Sequence, residues 1–158
     1  MELINLADDG SGFKQEFLPP TDSIFEKMDP EVKAIWVNAL RDPAAKQTTG
    51  TLRNKEGMCC LGVLTECAID AGIKVNREFI ERDHNYEYTW KDEAGELYTS
   101  TADLPLPVME WAGLVTSDPV LEIEIAGDGY PNPVVASNCN DSKEYDFGKI
   151  ADLIETNL

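Results

Sequence analysis

The chain has 158 residues, enough for a domain that buries about two-thirds of the surface its unfolded form exposes. Hydrophobic residues make up 42%, yet no apolar run approaches the ~20 residues of a membrane-spanning helix, so a soluble domain without membrane association is expected. Thirty acids oppose thirteen bases, and the formal charge of -17 repels nucleic acid and anionic lipid, which excludes a general DNA or RNA binder.

Residues 1–28 open the chain. Asp8 to Gly12 and Pro19-Pro20 break regular structure there, which predicts an N-terminal arm or extra element. Residues 29–158 read as one globular domain. Its first helix is predicted over Pro30 to Leu40, with Asp29 as N-cap and Pro30 at the first helical position. Val32, Ile35, Trp36, Ala39 and Leu40 form its apolar stripe, and Asp42-Pro43 ends it. A polar stretch and a short strand near Thr51 to Asn54 follow. A helix over Cys59 to Ala71 is apolar on most sides, so it is expected to be central, with Gly72 stopping it. Tyr86, Tyr88 and Trp90 alternate toward a turn at Asp92 to Gly95, which predicts a hairpin over 86–99. Pro105 and Pro107 open a short helix that stops at Gly113. Leu121, Ile123 and Ile125 alternate with acids, as in a half-exposed strand. Gly127 to Pro133 reads as a loop and Val134 to Ser137 as one more strand. The last helix is capped by Asp146 and carries Phe147, Ile150, Ala151, Ile154 and Leu158 on one face, so the C-terminus should be docked. The fold class is therefore α+β: three or four helices packed on a small, mostly antiparallel sheet.

The cysteines are Cys59, Cys60, Cys67 and Cys139. The first ten residues carry neither the basic start nor the apolar stretch of an export signal, so a cytoplasmic chain with reduced thiols is expected. Cys59 and Cys60 point about 100° apart on a helix, a poor arrangement for one metal ion. Core packing is the expected role, and no metal or cofactor is predicted. His84, the single histidine, stands among charged residues, as in an exposed loop.

Charge is distributed unevenly. Arg41, Lys46, Arg53 and Lys55 fall within fifteen residues, opposed there only by Asp42. Residues 92 to 142 hold ten acids and no Lys or Arg. Two readings stand side by side. In one, the basic segment pairs with the acidic half and ties the domain together. In the other, Lys46, Gln47, Thr48, Thr49 and Arg53 line a pocket for a small anion, charge coming from Lys and Arg and oriented hydrogen bonds from Gln and Thr. Backbone N–H groups of the helix near Cys59 would assist. The Gly50 to Gly57 stretch lacks the ending of a phosphate loop, and neither a Gly-x-Ser-x-Gly elbow nor a His-Glu-x-x-His motif is present, so no catalytic residue is predicted. Asn140-Asp141-Ser142 reads as a turn and capping device or as part of a ligand or metal site.

The order of these landmarks resembles a family of small proteins encoded by tailed bacteriophages. The pattern runs from a Trp-bearing helix with Ala39-Leu40 through Lys46-Gln47 and Gly50-x-Leu52 to Cys59-Cys60-Leu61-Gly62-Val63-Leu64. It continues with Leu104-Pro105, Val108, Trp111 and Gly113-Leu114, then Asn140-Asp141, Phe147 and Ile150-Ala151 with Ile154-Glu155. The resemblance covers roughly residues 30–158 and implies an accessory protein acting in the cytoplasm of the infected bacterium. Where the pattern would have Leu-Asn-Asp followed by Gly, this chain has Cys139-Asn140-Asp141 and then Ser142. Its polar points are Lys46, Gln47, Asn140 and Asp141. With Thr48, Thr49 and Arg53 they form the predicted ligand-binding set.

The leading expectation is a phage accessory, anti-defence protein that sequesters a small anionic, nucleotide-like molecule. The alternatives are an acidic protein–protein inhibitor of a host nucleic-acid-binding enzyme, and a nucleotide-processing enzyme. Expected partners are the anionic ligand, a host protein and, as a further class, a second copy of the chain in a homodimer; direct nucleic-acid and membrane binding are not expected.

Overall fold

The computed structural model describes residues 27–124 and 131–158. The expected arm over 1–28 therefore lies outside the described residues apart from Lys27 and Met28, as does most of the predicted 127–133 loop. Helix α1 spans Pro30–Arg41. The Asp29 carboxylate accepts from the Glu31 and Val32 N–H groups at 2.8 and 3.1 Å, which satisfies two donors that the first turn leaves free. Val32, Trp36, Val37 and Leu40 face inward, whereas Ile35 is 44% exposed. Each residue turns the helix by about 100°, so an arc centred between Trp36 and Leu40 takes in Val37 and leaves Ile35 outside. That arc packs on both the helix Phe147–Asn157 and the helix Cys60–Asp70, which is why it is rotated from the stripe expected by pattern alone.

Helix α2, Cys60–Asp70, is central as expected, with Cys59 and Ala71 serving as its caps. Every residue from Cys60 to Thr65 is buried. The chain before it, residues 46–58, folds back against its first turn. A Cβ on Gly62 would lie 1.9 Å from the Leu52 carbonyl oxygen, so only glycine admits this approach. Strands β1 (Asn76–Ile80), β2 (Asn85–Lys91) and β3 (Leu97–Ser100) form an antiparallel sheet in that order. The predicted hairpin is β2–β3, with Trp90 opposite Tyr98. Strand β1 went unpredicted because Asn76, Arg77 and Glu78 are exposed and give no apolar alternation. The isolated strand expected near Thr51 to Asn54 is reduced to single bridges of Arg53 to Met58 and Asn54 to Asn85.

Helix α3, Leu106–Ala112, ends at Gly113 as its sequence indicates. Strands β4 (Val120–Glu124) and β5 (Pro131–Val135) pair in a second antiparallel sheet. The strand predicted to reach Ser137 stops at Val135, and Ala136–Asp141 forms helix α4. Helix α5, Phe147–Asn157, is capped by Asp146, whose carboxylate accepts from the Lys149 N–H at 2.9 Å. Leu158 is buried and its carbonyl accepts from the Met28 N–H, so the C-terminus is docked. The class is α+β, with five α-helices and two small antiparallel sheets among the described residues. One core joins Trp36, Leu40, Leu61, Leu64, Leu121 and Ile150. The Trp36 indole donates to the Cys60 carbonyl at 2.9 Å and fixes α1 against the start of α2.

Candidate functional site

The polar residues singled out by sequence fall into two groups. Gln47, Thr48, Asn140 and Asp141 are brought together although up to 94 positions separate them. Residues 46–48 run beside Met58: Met58 N–H donates to the Lys46 carbonyl and Thr48 N–H to the Met58 carbonyl. This sets Gln47 against α4. Its amide nitrogen contacts the carbonyls of Asn140 and Tyr145 at 3.2 and 3.1 Å and Asn140 Oδ1 at 3.1 Å. Asn140 is 1% exposed. Its Oδ1 accepts from the Cys60 N–H at 3.0 Å, and its Nδ2 donates to the Thr48 carbonyl at 2.8 Å. Asp141 Oδ1 accepts from the Gly50 N–H at 3.2 Å. Three segments of chain, 47–48, the start of α2 and α4, are thus laced together by one buried amide.

That lacing consumes the groups an anion would need. At the start of α2 the Cys60 N–H goes to Asn140, the Gly62 N–H to Cys59 Sγ and the Val63 N–H to the Cys59 carbonyl. The basic side chains are distributed as well. Arg41 pairs with Asp152 at 2.6 Å and with Glu155 at 3.0 Å, and those hydrogen bonds raise its pKa. Arg53 pairs with Glu66 at 3.0 Å and lies 4.7 Å over the Tyr86 ring. Burial opposes the Arg53 charge, but the Glu66 charge and hydrogen bond outweigh it and raise its pKa. Glu66 also holds Arg77 at 2.6 Å and accepts from the Tyr88 hydroxyl at 2.7 Å. Lys55 lies over Phe79. Lys46 and Thr49 are exposed, and among the described residues Lys46 makes no ion pair. Arg53 is thus engaged by Glu66 instead of the Gln47–Asn140 group, while Lys46 and Thr49 stand exposed on either side of Gln47 and Thr48.

Two concavities bear on binding. A recess of about 120 Å³ beside Asn140 is lined by Gly50, Thr51, Cys59, Asp103, Ser137 and Asp141, so its charges are carboxylates. Burial pushes the Cys59 thiol up to about 11, so it is a protonated, unreactive group at neutral pH. Cys60 and Cys139 are buried too, and all four thiols are free. Among the described residues no group of three or more His, Cys, Asp or Glu is placed to hold a metal ion. His84 is exposed at the turn between β1 and β2.

The second concavity is a groove of about 490 Å³ between the tip of the β2–β3 hairpin and the start of α3. Trp90, Leu106 and Pro107 line it, with Asp92, Glu93 and Glu110. The Trp90 and Tyr98 rings stack at 5.9 Å and 19°. The sequence reading used Trp90 only as a strand marker. The available signal was an aromatic alternation running into Asp92 to Glu96, five residues with three acids.

Residues 28–158 match the family described as Domain of unknown function (DUF8296), and the chain belongs to it. No curated protein and no solved structure matches the chain. No helix of the described residues is long and apolar enough to cross a membrane.

Proposed function

We propose that this member of the DUF8296 family is a non-catalytic phage accessory protein that works through its acidic face, occupying a basic surface on a host nucleic-acid-binding enzyme in the bacterial cytoplasm. The observation that carries this reading is the fate of the positive charge. Arg41 and Arg53 are spent on Asp152, Glu155 and Glu66, while residues 92 to 142 hold ten acids and no Lys or Arg. Such a face attracts basic surfaces and steers their approach. Affinity purification from host lysate treated with nuclease tests it. A DNA- or RNA-binding enzyme should be captured, released by about 0.5 M salt, where the Debye length falls to ~4 Å, and displaced by duplex DNA. Capture that is indifferent to both salt and DNA overturns the reading.

Sequestration of a small nucleotide-like anion is the second reading. The exposed Lys46 beside Gln47, Thr48 and Thr49 is the observation in its favour. Calorimetric titration with cyclic oligonucleotides and ADP-ribose derivatives should then give heat that Lys46→Ala abolishes. Absence of heat with every ligand removes it, and turnover of any of them, read by mass spectrometry, would replace it with the enzyme alternative.

A further inference from the structure

The inner face of the three-stranded sheet extends beyond the core it covers. Alternate residues of a strand point to one side, so Tyr88 and Trp90 share a face. Tyr88 is fully buried, but Trp90, two residues on, is only half-buried, and Tyr98 opposite it is 42% exposed. Across the groove Leu106 is 48% exposed. Single exposed apolar residues are ordinary, but here Trp90 and Leu106 line one concavity and Tyr98 stacks on Trp90. Its charged rim is acidic. Asp92 accepts from the Glu96 N–H and the Tyr98 hydroxyl, which anchors the stacked pair and lowers the carboxyl pKa. Glu93 and Glu110 add two further carboxylates. Lys91 also borders the groove, but it pairs with Leu97 on the sheet face opposite Trp90.

We propose that this groove is the docking site for an extended, arginine-bearing segment of a protein partner, with a guanidinium lying on the open edge of the stacked Trp90–Tyr98 pair and reaching the carboxylates of Asp92 or Glu110. The proposal rests on the acidic-face reading above and names the point of contact. Charge complementarity selects the occupant. A nucleic acid or an anionic lipid is repelled, and a purely apolar segment offers no charge to the carboxylates of Glu93 and Glu110. Arginine fits better than lysine because its planar group stacks on aromatic faces and pairs with carboxylates in a fork.

The test uses the full chain and a fluorescein-labelled decapeptide of Arg, Leu and Gly, with counterparts carrying Lys or Glu in place of Arg. The Arg peptide should bind, the Lys peptide about fivefold or more weaker, and the Glu peptide not at all. Tyr98→Ser and Leu106→Ser alter exposed side chains and should each weaken the Arg peptide by about fivefold. Glu110→Gln should weaken it about twofold, and Glu81→Gln, an exposed acid at the opposite end of β2, should leave it unchanged. In the ¹⁵N spectrum the Trp90 indole signal should shift on binding while the buried Trp36 signal stays in place. Peptide affinity that is unchanged in Tyr98→Ser/Leu106→Ser, or a shift absent from Trp90, overturns the groove even if a basic enzyme is still captured from lysate. A chain that captures no such enzyme yet binds the peptide through these residues overturns the host-enzyme reading alone.

Discussion

Asn140→Ala is the substitution that separates a structural role for the polar cluster from a ligand-binding one. The wild-type side chain is 1% exposed and satisfies the Cys60 N–H, the Thr48 carbonyl and part of the Gln47 amide. Truncation leaves the buried Cys60 N–H and the part-buried Thr48 carbonyl without these partners. Each buried unsatisfied group costs about 1–3 kcal/mol, so the two together should cost about 3–5 kcal/mol. That is a large part of the ~5–15 kcal/mol that typically holds a domain folded. With a urea slope of about 2 kcal/mol per molar, the unfolding midpoint should fall by ~2 M. Tryptophan fluorescence reads this directly, since Trp36 sits beside the affected helix start. Asn140→Asp keeps the acceptor for the Cys60 N–H but loses the donor to Thr48 and places a charge next to Asp141. It should also destabilise, and recover partly as the pH is lowered and that carboxylate takes up a proton. A midpoint shift below ~0.3 M for Asn140→Ala, about 0.6 kcal/mol on the same slope, would refute the structural assignment.

Three further outcomes follow from the packing and the ionisation of buried groups. Gly62→Ala places a methyl group 1.9 Å from the Leu52 carbonyl oxygen; it should cost ~3 kcal/mol or more, seen as a lower melting temperature, and a neutral effect would mean that the 46–58 loop is not seated on α2. Glu66→Ala leaves Arg53, Arg77 and the Tyr88 hydroxyl without their shared acceptor. It should destabilise by about 2 kcal/mol or more, whereas Arg77→Ala at the exposed end of the cluster should cost less than 1 kcal/mol, a range typical of surface pairs. Alkaline pH should destabilise the chain. Burial raises the Cys59, Cys67 and Cys139 thiols from 9.0 to about 11, and burial followed by the Glu66 hydrogen bond raises Tyr88. The folded state then holds more protons than the unfolded one, so stability is fully present below about pH 9 and falls as the pH rises toward 11. Urea midpoints measured from pH 8 to 11 check this, and a flat profile would contradict it.

The helices were legible wherever their signals are local. Asp29-Pro30 and Asp146 cap α1 and α5, Gly113 stops α3, and the apolar repeat of α5 reaches Leu158. Each of these is a contact across a few residues, and the residue types nearly dictate it. Strand β1 and helix α4 lacked such signals. One is polar and held by its register with β2, and the other is a six-residue helix whose buried Asn140 is stabilised by partners from Thr48 and Cys60.

The chain's composition and patterning by themselves determined an acidic α+β domain with a helix over Cys59 to Ala71 at its centre and no catalytic motif. Only the tertiary structure decided what the basic segment does. Gln47 meets Asn140 across 93 positions, and Arg41 meets Glu155 across 114. Whether a cation opens onto a ligand or closes on a carboxylate depends on which distant segment the core brings beside it, and no spacing along the chain carries that distance. The same holds for the groove. Trp90 continues the alternation of Tyr86 and Tyr88, yet Tyr88 is fully buried with its hydroxyl on Glu66 while Trp90 is half-buried beside the groove, a difference set by which distant segments the fold brings against each.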